Sequence, residues 1–198
     1  MDAHEDLEPA AAAVPAWDDD YLDRVADRLV FNYDLEKDRT VGGEPFALYG
    51  RLEMSSEKHF FHPALRFGYH ESFEHLFCRR RDAVGVDDLE ALVDLGHALA
   101  DDWIDADEQH FSTEFTFVTV VNEIPGDVRS FVEGFRDRTL LRYGYFGHYE
   151  VHLIAVAPER EAIAASREAD VEEAFRLWDP IEKQDPGWWQ LITRRLQI

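Results

Sequence analysis

Cysteine and lysine are the scarce residues in this chain of 198: Cys78 stands alone, and Lys37, Lys58 and Lys183 are the only lysines. A single cysteine excludes an intramolecular disulfide and a multi-cysteine zinc ribbon, and it fits a reducing cytoplasm. Nowhere do about 18 consecutive apolar residues occur, so no transmembrane helix is expected. Met1 to Pro15 lacks a positive start followed by an apolar core, which excludes a secretory signal. Gly-x-Gly-x-x-Gly, Gly-x-x-x-x-Gly-Lys-Ser/Thr and Gly-x-Ser-x-Gly are all missing, so dinucleotide, P-loop and serine-hydrolase chemistry have no support.

What is present in excess is acid. Asp and Glu number 42 against 20 Lys and Arg, a formal charge of −22, while 45% of residues are hydrophobic and 13% aromatic. That apolar content excludes a disordered acidic chain, which could not offset its folding entropy. The charge argues against a nucleic-acid or anionic-membrane partner, since both are polyanions.

The shortage of lysine beside this excess of carboxylate resembles the cytoplasmic proteins of extreme halophiles, among them the many uncharacterised small proteins of haloarchaea. The resemblance implies a soluble, cytoplasmic domain of unknown function. At about 0.01 M salt the Debye length is roughly 30 Å and self-repulsion spans the molecule, whereas about 1 M salt shortens it to roughly 3 Å.

Residues 1–16 are expected to form a disordered leader, because Pro9, Ala10 to Ala13 and Pro15 offer no amphipathic pattern. Residues 17–198 then read as one mixed α/β or α+β domain. Tyr21, Leu22, Val25, Leu29, Val30 and Tyr33 predict a helix over 18–38, with Asp18 to Asp20 at its start. Alternation predicts strands over 46–54, 60–67 and 69–80; in the last, Tyr69, Glu71, Phe73, His75 and Phe77 share a face. Asp87 opens a helix with Leu89, Leu92, Gly96, Leu99 and Trp103 on its stripe, followed by a strand over 110–124 and a helix from Pro125 to Leu140. Residues 142–157 read as the longest strand, and 158–178 as helical. The expected order is α-β-β-β-α-β-α-β-α around a mixed sheet of four or five strands.

Over residues 18–124 this order resembles the core of the PD-(D/E)xK nuclease-like fold in topology. That family's Glu-x-Lys pair is missing, although Glu71 and Glu74 lie on the strand where it would stand.

Histidine carries the candidate chemistry. His148-x-Glu150-x-His152 places three potential ligands on one side of a strand, and His110 with Glu114 does the same on another. Imidazole and carboxylate together suit a divalent metal such as Zn, Fe or Mn. Against this, one face of a sheet is often simply solvated. Arg79 to Arg81 form the one basic cluster, read as neutralising nearby acids. Cys78 reads as a small buried hydrophobe, and Tyr143, Tyr145, Tyr149, Phe111, Phe115 and Phe117 as core. Trp188 and Trp189 are candidates for a homo-oligomer or protein-partner contact. The expected function is a binding or interaction module; the alternative is a metal-dependent enzyme, hydrolase or nuclease-like, using the His/Glu face.

Overall fold

The first described helix is capped by its own sequence. The Asp19 carboxylate accepts the backbone N–H groups of Tyr21 and Leu22 at 3.0 and 3.2 Å, which satisfies donors that the first turn leaves open. The structure is a computed structural model that describes residues 15–58 and 68–179. Its helices are α1 (Asp20–Leu29), α2 (Val86–Trp103), α3 (Gly126–Gly134) and α4 (Glu172–Phe175). Its strands are β1 (Asp34–Val41), β2 (Glu44–Lys58), β3 (Gly68–Arg80), β4 (His110–Val120), β5 (Asp137–Leu140), β6 (His148–Ala157) and β7 (Ala162–Ala165).

The seven strands form one mixed sheet in the order β1-β2-β3-β4-β6-β5, with β7 also paired to β6. Strands β1, β2 and β3 make an antiparallel meander; β3, β4 and β6 run parallel; β5 and β7 are antiparallel to β6. The parallel steps are made by α2 and α3, as parallel pairing requires a crossover.

Strand alternation sorts the side chains into two layers. Phe77, Phe115, Phe117, Val151 and Leu153 pack with Leu89, Leu92 and Leu99 of α2 and Val128 and Val132 of α3. Leu76, Cys78, Val118, Val120, Ile154 and Val156 pack on the other side with Leu22, Val25 and Leu29 of α1 and Phe175 of α4. Gly96 allows α2 to approach closely: a Cβ there would lie 2.9 Å from Val151 and 3.2 Å from Phe117. The Tyr21 hydroxyl donates to the Phe175 carbonyl at 2.7 Å, and Arg28 donates to the carbonyls of Glu173 and Arg176, tying α4 to α1.

A single mixed α and β sheet with four helices agrees with the sequence, but the strand count and several boundaries do not. The first helix stops at Leu29, and residues 34–41 form strand β1. Its half-buried positions are Leu35, Lys37 and Arg39, and because two of these three are charged, no apolar alternation marks it. Helix α3 ends at Gly134 and 137–140 pair with β6 as β5. Strand β6 begins at His148, not at 142, because Arg142, Tyr143, Gly144 and Gly147 all take positive φ and turn the chain. Tyr143 and Tyr145 are therefore 96% and 86% exposed rather than core, whereas Tyr149, Phe115 and Phe117 are buried as expected. Among the described residues the longest strand is β2. Within 158–178, residues 162–165 form β7. The expected 60–67 strand, most of the 1–16 leader and Trp188-Trp189 lie outside the described residues. Among those described, no helix is long and apolar enough to cross a membrane.

Candidate functional site

Strands β4 and β6 finish in largely apolar residues, Phe117 to Val120 and Leu153 to Ala157, whereas β3, β4 and β6 carry His, Glu and Ser or Tyr side chains in their first halves. On the α1 face the parallel registers set Glu74 beside Glu114 and Glu114 beside Glu150, so three carboxylates stand abreast on three adjacent strands. Two imidazoles join them. His148 Nε2 lies 3.2 Å from Glu150 Oε1, and His152 Nε2 lies 3.5 Å from both Glu150 Oε2 and Glu114 Oε2. Arg138 Nε stands 3.6 Å from Glu150 Oε1, and the Tyr33 hydroxyl donates to Glu74 at 2.5 Å.

Burial opposes the charge on Glu150. The hydrogen bond from His148 and the charges of His152, His148 and Arg138 outweigh it, and they hold the Glu150 carboxyl below its ordinary range. Burial, then the charge of Glu74, pushes the Tyr33 phenol well up.

Of the five residues singled out as metal ligands, the structure brings together His148, Glu150, His152 and Glu114, and adds Glu74. It places His110 elsewhere. A register shift between Glu71 and Ser72 interrupts the β3–β4 pairing where His110 begins β4. His110 Nδ1 lies 2.7 Å from the Phe146 carbonyl, which can only accept, so this nitrogen carries the proton; Nε2 lies 2.9 Å from the Thr113 hydroxyl. Among the described residues, no group of three or more His, Cys, Asp or Glu side chains is disposed to hold a metal ion. The histidines and glutamates instead face one another in pairs 3.2–3.5 Å apart.

On the opposite, α2 face the same end of the sheet opens into a cleft of about 580 Å³. Its rings come from Tyr49 on β2, Phe73 and His75 on β3, and Trp103 at the end of α2. His75 stacks on Phe115 with centroids 5.3 Å apart and meets the Trp103 ring at 5.0 Å. Its Nδ1 lies 2.8 Å from the Tyr49 hydroxyl. Burial, and after it the charges of Arg51 and Arg39, lowers the His75 pKa to about 4, so the ring is neutral at pH 7. Burial likewise raises the Tyr49 phenol.

Two arginines border these rings. The Arg39 guanidinium lies 4.0 Å over Tyr49 and 5.5 Å from the Trp103 ring, and Arg51 lies 5.7 Å from the Phe73 ring. Glu71, Asp105 and Asp107 stand on the side nearer β4, with Thr113 and His110. Asp107 Oδ1 accepts the N–H groups of Gln109 and His110, which fixes the entry to β4.

The sequence contained part of this site: Glu71, Phe73 and His75 were placed on one strand face. Arg39 falls just past the helix expected over 18–38 and before the strand expected from 46, where no apolar period marks it, and Trp103 reads only as part of a helix stripe. The Arg79 to Arg81 cluster is neutralised as expected, with Arg79 and Arg81 each 3.0 Å from Glu44 and Arg80 at 2.6 Å from Asp19. Cys78 is buried and its thiol is pushed up by that burial.

No curated protein and no solved structure matches the chain. A family model does match, over residues 18–177, and that span takes in every described helix and strand. The chain therefore belongs to the family described as a domain of unknown function, DUF8052.

Proposed function

We propose that the chain is a binding module that takes a small organic ligand in the cleft between β1–β4 and the end of α2. The observation that carries this reading is the cleft itself. It joins an aromatic wall of Tyr49, Phe73, His75 and Trp103 to two arginines in a volume of about 580 Å³, within the range of organic-ligand sites. Binding rather than catalysis is favoured by the two hydroxyl and imidazole groups at its centre. His75 protonates near pH 4 and the Tyr49 phenol is raised, so neither is poised for proton transfer near pH 7.

The test is a fragment screen by amide NMR on the intact chain. Apolar and aromatic fragments should shift the amides of Tyr49, His75 and Thr113 together, and Trp103→Ala should abolish the response. Shifts scattered over other surfaces, or unaffected by that substitution, would remove the reading.

A second reading, a divalent-metal enzyme, rests on Glu114, Glu150, His148 and His152, which are linked by His–Glu pairs at 3.2–3.5 Å and would have to rearrange to share one ion. Thermal melting with and without Zn²⁺ or Mn²⁺ separates the two. A saturable rise that Glu150→Gln and His152→Gln remove favours the metal, and an unchanged melting point favours the ligand cleft. The acid excess we assign to life in concentrated salt, in the cytoplasm of a halophile, where carboxylates keep the surface hydrated.

A further inference from the structure

The basic and acidic groups around the cleft are unevenly placed. Arg39 on β1 and Arg51 on β2 form one wall, which Glu36 of β1 also lines, paired to Arg39; across the β2–β3 register Arg51 stands opposite His75. Glu71 at the start of β3, with Asp105 and Asp107 between α2 and β4, forms the other. The rings of Tyr49, Phe73 and Trp103 lie between them, and the neutral His75 adds a polar group without charge.

The cationic wall can accept an anion. The Arg39 Cζ lies 4.0 Å from the Tyr49 ring centroid, and its guanidinium carries five N–H donors. Only Nη1 meets Glu36, at 3.0 Å, and Arg51 meets Glu53 through Nη2 at the same distance. Both glutamates are more than half exposed. Such solvated pairs hold weakly and leave other guanidinium donors for an incoming carboxylate. The acidic wall has the opposite chemistry. Its three carboxylates accept hydrogen bonds and favour an ammonium group.

A ligand matching both walls carries a carboxylate at one end, an ammonium at the other and hydrocarbon between. Adjacent strands stand about 4.8 Å apart, so walls on β2 and beside β4 are separated by about two strand spacings before their side chains reach inward. A free α-amino acid places both charges on one carbon and is too short. An extended dipeptide separates its ends by roughly 7 Å, at about 3.5 Å per residue. We infer that the cleft binds a short apolar peptide with free ends, carboxylate toward Arg39 and Arg51, ammonium toward Glu71, Asp105 and Asp107, and side chains on the aromatic wall. This rests on the cleft being the ligand site.

The test uses four probes on the intact chain in molar KCl: Leu-Phe, N-acetyl-Leu-Phe, Leu-Phe amide and N-acetyl-Leu-Phe amide, titrated by amide NMR. The free dipeptide should bind at least fivefold more tightly than either singly capped form, with shifts at Tyr49, His75 and Thr113. Arg51→Gln should erase the preference over the amide and keep that over the acetylated form; Asp105→Asn with Asp107→Asn should do the reverse. If the doubly capped probe binds as well as the free dipeptide, the zwitterion assignment falls and the cleft reading stands. If no probe shifts the cleft residues while other fragments do, the peptide class falls alone. If nothing binds there, both fall.

Discussion

Glu150 stands beside Glu114 in the parallel register of β4 and β6, and the two carboxylates share the imidazole of His152 at 3.5 Å each. Two carboxylates abreast on a buried sheet face repel, so the arrangement depends on the histidines that lie against them. The lowered Glu150 pKa expresses that dependence. A carboxyl whose folded pKa lies below its unfolded value contributes stability above the unfolded pKa and loses it as pH falls through the folded one. In molar KCl, the urea midpoint of the parent should therefore fall as pH drops below about 4.5. Glu150→Gln should flatten that part of the curve; an unchanged slope would show that Glu150 is not held in this way.

His75 gives pH dependence of the same sign from the opposite chemistry. Its pKa falls from 6.5 to about 4 on burial, so between those values the unfolded chain binds a proton that the folded chain does not. Stability should decline as pH falls from about 6.5 to about 4, by up to roughly 3 kcal/mol for this residue. The decline should shrink in His75→Gln, and histidine NMR titration should show one ring still neutral at pH 5.

Gly96 tests the packing of α2 on the sheet. Alanine in a helix interior ordinarily gains about 1 kcal/mol over glycine. Here the added Cβ would lie 2.9 Å from Val151 and 3.2 Å from Phe117. Overpacking costs typically about 1–3 kcal/mol. Gly96→Ala should therefore lower stability by up to about 2 kcal/mol in urea melts, and an increase would show that α2 can move away.

The turn before β6 separates exposure from hydrophobicity. Tyr143→Ser and Tyr145→Ser should change stability by less than about 0.5 kcal/mol, as surface substitutions do, whereas Phe117→Ala should cost about 3–5 kcal/mol. Gly147→Ala places a Cβ 2.0 Å from the Phe111 carbonyl at a φ of +74°. It should loosen the segment 141–147 and release His110 from Phe146, visible as faster amide exchange and a shifted His110 resonance.

Salt tests the surface charge. A chain carrying −22 should lose melting temperature on dialysis to about 0.01 M salt and recover it in molar KCl, because the Debye length shrinks from roughly 30 to roughly 3 Å. A melting temperature independent of salt would remove the halophile reading.

The sequence by itself determined the elements whose buried faces are continuous: α2 from its Leu89–Leu92–Leu99 stripe, β4 from Phe115 and Phe117, and the shared face of Phe73, His75 and Phe77 on β3. Hydrophobic period specifies an element when burial is one-sided and the buried residues are apolar. It also placed His148, Glu150 and His152 on one face. Tertiary structure decided the rest. Strand β1 exists because β2 offers it a paired edge, and its half-buried Lys37 and Arg39 give no apolar period. The turn at 142–147 depends on four positive φ angles, and His110 leaves the Glu114 face through a register shift between two strands. The cleft assembles Arg39, Tyr49, His75 and Trp103 from four separate elements. Their proximity follows from strand order, which residue spacing within any one segment does not encode.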